Sequence, residues 1–312
     1  MVKRKKLNSA VQIILGFLTI ILIGTFLLAL PISSKDGQWF SFIDSLLTST
    51  SAVCVTGLSV VDTAVHFSLF GQIVLLLLIQ IGGLGFITLT SLVFLLIKKR
   101  ITYEERVTIQ ESLNQDNVQG IVKLVRNIII LVFVTEFIGA VALAPSMITT
   151  FGWGNGIFKS IFMSISAFCN AGFDIMGTTE NAFVSLSGFA SNVFIILPIM
   201  FLIIIGGIGY VVLFDIGGKF KKKKMSLHSK VTLISVAVLI FGSAFLFAVL
   251  EWNNPETIGD MTVWEKILNS LFCSVTPRTA GFFTVDYSKL SQGSIVLTCI
   301  LMFIGGGSSS TA

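Results

Sequence analysis

Three stretches of this chain place a glycine where backbone oxygens could meet a cation: Asp44–Leu58 (DSLLTSTSAVCVTGL), Lys159–Phe173 (KSIFMSISAFCNAGF) and Asn269–Phe282 (NSLFCSVTPRTAGF). The residues at the turn are Val55, Thr56 and Gly57; Asn170, Ala171 and Gly172; and Thr279, Ala280 and Gly281. A dehydrated cation must be compensated by oxygens at a fixed spacing. Backbone carbonyls supply them where the chain is extended or left-handed, and glycine adopts those conformations at low cost. Each loop follows a short helix carrying a polar stripe: Thr48, Ser49 and Ser51; Ser160, Ser164 and Ser166; Ser270, Ser274 and Thr276. The partly negative C-terminal ends of these helices would face the loops and favour a cation. Packing glycines and serines of ordinary membrane helices are the competing explanation. The in-register repetition favours a pore.

The elements that position these loops follow from the composition. The chain has 312 residues, 54% hydrophobic and 12% charged. A soluble domain carries about 25% charged residues, so this is an integral membrane protein. Crossing the hydrocarbon takes about 20 apolar residues in a helix. Six segments qualify or nearly do: Ala10–Leu30, Gly71–Ile97, Asn127–Met147, Ser191–Phe214, Val231–Leu250 and Gln292 to the last residue. Between the members of each pair lies a segment too short to span: Trp39–Ser51, Ile157–Ala167 and Trp264–Ser274. Such segments are expected to dip into the bilayer and return on the same side, buried in protein. The first apolar run is too long for a signal sequence and lacks its cleavage site.

Charge tests this topology. With the N-terminus inside and the short helices re-entrant, 16 of the 21 Lys and Arg residues face the cytoplasm and ten of the 16 acids face outward. Lysine and arginine concentrate on cytoplasmic loops, so the bias supports the arrangement. The basic runs therefore read as topology signals rather than a nucleic-acid surface, with contact to anionic lipid or a partner as a second use. Cys54, Cys169, Cys273 and Cys299 show no metal-ligand spacing, and His66 and His228 fall on opposite sides of the membrane. No phosphate-binding loop is present either, so the chain is not read as an enzyme.

The chain repeats a span, a short helix, a glycine loop and a second span. The loop glycines lie 115 and 109 residues apart, and the second spans carry IGGLGF (Ile81–Phe86), IGGIGY (Ile205–Tyr210) and IGGGSS (Ile304–Ser309). Aligned on Ser45, Ser160 and Ser270, the third loop is one residue shorter. The units divide the chain at 1–100, 101–220 and 221–312. Three units leave a ring open, and the chain stops inside its sixth apolar segment. A fourth unit is therefore expected from a continuation of the chain or from another subunit. The expected fold class is an all-α integral membrane protein of repeated membrane helix–pore loop–membrane helix units with pseudo-fourfold symmetry.

Other residues stand out. Gly305, Gly306, Gly307, Ser308, Ser309 and Ser310 read either as a flexible end or as a break in the third unit's second helix; their register with the other Ile-Gly-Gly motifs favours a break that could gate. Arg278, inside the third loop, is expected to support the loop by pairing with Asp44 or another outer carboxylate, or to set an electrostatic barrier. Glu136 lies mid-span, where a carboxyl group is either functional or bonded to a neighbouring helix.

The stretches SAVCVTGLSVVD (Ser51–Asp62), SAFCNAGFD (Ser166–Asp174), SVTPRTAGFFTVD (Ser274–Asp286) and IGGGSSSTA (Ile304–Ala312) resemble the Trk/Ktr/HKT superfamily of potassium transporters, most closely the membrane subunit of bacterial Ktr systems. That resemblance implies four repeats around one ion path, with Gly57, Gly172 and Gly281 as filter glycines and Gly305–Ala312 as the start of a gating loop. It implies potassium at the filter residues, with sodium as a further transported ion and no covalently bound cofactor. Glycine at Gly57, rather than serine, goes with potassium over sodium in that family. The implied partners are membrane lipid, a second copy in a homodimer with one pore per protomer, and a cytosolic nucleotide-binding regulatory ring. The implied location is a bacterial plasma membrane, crossed several times, with the N-terminus cytoplasmic. A sodium- or ammonium-conducting member and a non-conducting scaffold subunit are the alternatives.

Overall fold

The computed structural model describes residues 9–85, 121–219, 225–307 and 310–311. The first unit contains α1 (Ser9–Ala29), α2 (Phe42–Val53), the single turn α3 (Thr63–His66) and α4 (Leu69–Leu84). The second contains α5 (Ile121–Phe151), α6 (Trp153–Phe168), α7 (Val193–Ile208) and α8 (Tyr210–Lys219). The third contains α9 (Leu227–Glu251), α10 (Val263–Val275) and α11 (Gln292–Ile304). No strand occurs among the described residues. Two of these helices, α5 and α9, are long and apolar enough to cross a membrane, and α7 with α8 makes a third if the bent pair is one span.

The first helix of each unit packs on its short helix: α1 on α2, α5 on α6, α9 on α10. One hydrogen bond recurs at all three contacts. Ser49 Oγ donates to the Ile21 carbonyl at 2.9 Å, Ser164 Oγ to Glu136 at 2.6 Å and Ser274 Oγ to Ile240 at 2.6 Å. Three residues further along the first helix stand Gly24, Gly139 and Ser243. A Cβ on Gly24 or Gly139 would lie 2.4 Å from the serine oxygen, and Ser243 instead shares a 2.7 Å hydrogen bond with Ser274. Helices in a bilayer gain little hydrophobic drive from associating, so small residues that let backbones approach carry the packing. The polar stripes mark the serines in the sequence, whereas no local pattern marks these two glycines.

The second helix of one unit packs on the short helix of the next, α4 on α6 and α7 on α10. This places the short helices inward, with Phe162, Phe168, Phe173, Phe272 and Phe282 fully buried between the units. The outer faces of α5 and α9 expose Phe133, Phe137, Val141, Phe241 and Phe245. At 1.5 Å per residue, the 12, 16 and 13 residues of α2, α6 and α10 reach about 18–24 Å, short of the ~30 Å hydrocarbon. At the end of α9, the Glu251 carboxyl accepts hydrogen bonds from Asn254, Thr257 and both the backbone and hydroxyl of Ser291. This joins α9 to the start of α11.

The second helices depart from the sequence expectation. Ser191–Phe214 is not one straight span. The helix stops at Ile208, Gly209 takes φ +101°, and α8 leaves at 100°. In the same register α4 stops at Leu84 with Gly85 at φ +76°; α11 stops three residues earlier in its motif, at Ile304 with Gly305 at φ +66°. A break was expected only in the third unit. All three break because a left-handed glycine ends a helix cheaply, and each Ile-Gly-Gly motif supplies one nearby. The remainder of Gly71–Ile97, from residue 86, lies outside the described residues.

Candidate functional site: a ring of three glycine loops

Each loop is built on two left-handed residues. Val55 and Gly57 have φ of 55° and 75°, Asn170 and Gly172 of 55° and 72°, and Thr279 and Gly281 of 70° and 81°. A glycine adopts this backbone freely, whereas a side chain pays roughly 1–2 kcal/mol. A β-branched residue there is an outlier, so Val55 and Thr279 carry strain that surrounding contacts must hold. Such strain concentrates at functional sites.

The short helices supply the hold. The amide before each glycine donates back to the helix end: Thr56 to Ser51 O at 2.9 Å, Ala171 to Ser166 O at 2.8 Å and Ala280 to Thr276 O at 2.9 Å. The hydroxyls at these same helix positions also serve the loops. Ser166 Oγ donates to Phe173 O, Thr276 Oγ1 to Phe282 O, and Ser51 Oγ accepts from Thr56 Oγ1 at 2.9 Å. Ser51, Ser166 and Thr276 all lie six residues beyond the first serines, so the deleted residue of the third loop falls between Thr276 and Gly281.

The glycines converge. A Cβ on Gly57 would lie 2.8 Å from the Ala171 carbonyl oxygen and 3.4 Å from Gly172 Cα. One on Gly172 would lie 3.0 Å from the Ala280 oxygen, 3.1 Å from Gly281 Cα and 3.4 Å from Gly57 Cα. One on Gly281 would lie 2.9 Å from Gly172 Cα. Gly172 therefore stands between its two counterparts, with backbone oxygens around them. Between the first and third loops opens a cavity of about 650 Å³, lined by Val55 and Thr56 on one side and Pro277, Thr279 and Phe283 on the other. No residue of the second loop lines it. The ring of loops is open on that side.

The Ile-Gly-Gly motifs press against the helix ends below the loops. A Cβ on Gly82 would lie 2.2 Å from Val53 O, and one on Gly206 2.0 Å from Phe168 O. The chain leaving α11 at Gly305–Gly307 crosses to the same place. Gly307 N donates to Gly207 O at 2.7 Å, Thr311 N to Gly206 O at 3.2 Å and Thr311 Oγ1 to Phe168 O at 2.9 Å. Ser308 and Ser309 of the expected gate lie outside the described residues. Arg278, 7% exposed, points its Nε at the Gly305 carbonyl, 3.4 Å away. Its partner at that nitrogen is a backbone oxygen rather than the expected carboxylate, and it ties the third loop to the break in α11. A carbonyl freed by the helix end is a ready acceptor, and its identity depends on packing rather than on spacing in sequence.

Beyond the loops stand Asp62 and Asp174. Asp62 Oδ1 caps α3 through the amides of Ala64 and Val65, while Oδ2 accepts from Phe183 N at 2.6 Å and so links the first unit to the second. Asp174 accepts from Met176 N at 3.0 Å. Burial pushes the Asp174 carboxyl up to about 6, with Asp62 adding to the rise and Lys159 opposing it. An unfolded aspartate titrates near 3.9. The folded protein then binds the extra proton between about pH 4 and 6, so stability is highest below that window and falls as pH rises through it. Thermal midpoints in detergent should fall between pH 4 and 7, and Asp174→Asn should flatten the fall. Parallel profiles for the two proteins would count against this assignment.

Among the described residues no group of three or more His, Cys, Asp or Glu could hold a metal. The profile of a cation transport protein family, TrkH, matches residues 5–312. The chain is 44% identical over 309 residues to the potassium/sodium uptake protein NtpJ of Enterococcus hirae, covering 99% of this chain and 67% of that protein. It is 42% identical to the Ktr system potassium uptake protein B of Bacillus subtilis, covering 96% and 65%. The crystal structure of the potassium transporter TrkH from Vibrio parahaemolyticus superposes with a TM-score of 0.70 at 18% identity, covering 99% of this chain and 59% of that one. The chain thus spans about two thirds of the length of these curated relatives, and the likeness in structure concerns the fold. The relatives are ion transporters rather than enzymes. By the match over nearly its whole length, the chain belongs to the TrkH family of cation transport proteins.

Proposed function

We propose that Val55–Gly57, Asn170–Gly172 and Thr279–Gly281 form three walls of one cation filter, in the translocating part of a potassium-uptake system. The observation that carries this reading is the contact of three left-handed glycines, one from each repeat, around Gly172. Carbonyl rings replace the hydration shell of an ion. The open side between the first and third loops is where a fourth wall would stand. Potassium is the first ion to consider because both similar relatives carry it in their names, and sodium is the second because one of them carries that too.

The segment Gly305–Ser310 serves as the gate in this reading. Gly305–Gly307 lies below the loops, with Gly307 bonded to Gly207 and Thr311 beyond the segment bonded to Gly206, so withdrawal of this stretch would clear the path. The divisions 1–100, 101–220 and 221–312 are the three units. In this reading the N-terminus and the basic loops face the cytoplasm of a bacterial cell, where a nucleotide-binding ring would meet them, and a second copy would complete a homodimer in the lipid.

The test is potassium uptake. The natural full-length protein should restore growth at low potassium to cells lacking potassium transport, and sodium competition should rank the two ions. Failure to restore growth despite membrane insertion would sink the reading.

A further inference from the structure

The repeats are alike where the loops are held, so departures from likeness are informative. The recurring serine bonds place Ile21, Glu136 and Ile240 at one equivalent position. Counting back two residues from the first glycine of each Ile-Gly-Gly motif places Gln80, Ile204 and Phe303 at another. Each position is apolar in two units and polar in one. The two polar exceptions meet: Gln80 Nε2 donates to Glu136 Oε1 at 2.9 Å, bridging α4 of the first unit and α5 of the second. Both residues are buried, Glu136 at 4% exposure.

A carboxyl group at membrane depth is costly and is retained for a reason. Packing alone does not require this one, since the equivalent positions of the next pair of units, Ile204 and Ile240, are both aliphatic. What Glu136 does touch is the second loop. Its Oε1 accepts from Cys169 Sγ at 3.9 Å, and Cys169 is the residue joining α6 to the left-handed Asn170. Cys169 is fully buried and pressed from the other side by Gly83, where a Cβ would lie 2.5 Å from the sulfur. The Gly83 carbonyl in turn accepts from Tyr210 at 3.3 Å. Asn170 adds no side-chain anchor of its own, because neither polar atom of its buried amide has a partner. The corresponding Cys54 of the first loop is exposed.

We infer that Glu136, oriented by Gln80, is a positioning residue that acts through Cys169 to set the second filter loop and thereby the discrimination between potassium and sodium. The inference rests on the filter reading above. It makes the second loop the one whose geometry is fixed from the neighbouring unit.

The test uses the natural full-length protein in proteoliposomes, reading initial potassium and sodium fluxes together with thermal midpoint. In one variant Gln80→Ile and Glu136→Ile are combined, copying the apolar character of the other units. Replacing a buried polar pair by apolar residues of similar size is often neutral for stability. This variant should assemble, yet its potassium-to-sodium flux ratio should fall about three- to tenfold, the size of one lost hydrogen bond. Cys169→Ala should shift the ratio the same way, while Cys169→Ser, which keeps a donor, should stay near wild type. An unchanged ratio in Cys169→Ala overturns the inference, whatever the double variant does. So does an unchanged ratio in an assembled double variant. If the double variant fails to assemble, a shifted ratio in Cys169→Ala with rescue by Cys169→Ser supports the inference alone. A wild-type protein that carries no cation overturns the filter reading itself, which is a distinct result from a selective wild type with indifferent variants.

Discussion

Gly172→Ala should reduce potassium uptake at least about tenfold without removing the protein from the membrane. Two costs act together. The φ of +72° penalises any side chain by roughly 1–2 kcal/mol. The added methyl would also sit 3.0 Å from the Ala280 oxygen, 3.1 Å from Gly281 Cα and 3.4 Å from Gly57 Cα. These neighbours are backbone on both sides, so neither can rotate away. The third and first loops must shift by tenths of an ångström, and carbonyls that replace a hydration shell tolerate little displacement. Each 1.4 kcal/mol lost from the fit to the ion is about a factor of ten in rate. Gly154→Ala is the control, since a Cβ there meets nothing within 4 Å. Wild-type uptake by Gly172→Ala, at equal membrane abundance, would remove the three glycines from the ion path.

Gly206→Ala should instead destabilise the assembled protein. Here the backbone is helical, so alanine is intrinsically favoured over glycine by up to about 1 kcal/mol. Packing reverses that sign. A Cβ would lie 2.0 Å from the Phe168 oxygen, 2.9 Å from Thr311 Oγ1 and 3.0 Å from the Phe168 carbonyl carbon. Overpacking typically costs about 1–3 kcal/mol when side chains can adjust, and here the nearest obstacle is the backbone end of α6. The thermal midpoint in detergent should drop by roughly 5 °C or more. Gly242→Ala, on an open face of α9, should not lower it, since only the intrinsic preference for alanine acts there. A midpoint for Gly206→Ala at or above wild type would mean that α7 does not abut α6 as described.

The two substitutions separate what could be read in the chain from what could not. Gly57, Gly172 and Gly281 were legible because their property is local: a residue that takes positive φ without cost, repeated after a short polar-striped helix. The apolar centres of α1, α5 and α9 were legible for a similar reason, since run length and hydrophobicity mark a candidate span, but not their ends: α5 runs from Ile121 to Phe151, beyond the expected Asn127–Met147. The Ile-Gly-Gly motifs were visible as repeats, but their tasks were not. The sequence gives no sign that Gly82 and Gly206 face the carbonyls of Val53 and Phe168, nor that α4 and α7 break as α11 does. Gly24 and Gly139 looked like two of many glycines until Ser49 and Ser164 were placed against them.

By itself, then, the sequence determined the class of the protein, its repeats, the charge bias of its loops and the identity of the loop glycines. Each follows from a residue's intrinsic conformational freedom, hydrophobicity or charge, read over a short window. Only the tertiary structure decided that the three glycines touch, that Arg278 meets the Gly305 carbonyl, and that Glu136 is bound to Gln80 and Cys169. Those partners lie 27 to 115 residues apart in the chain, and packing between units, not local preference, chooses them.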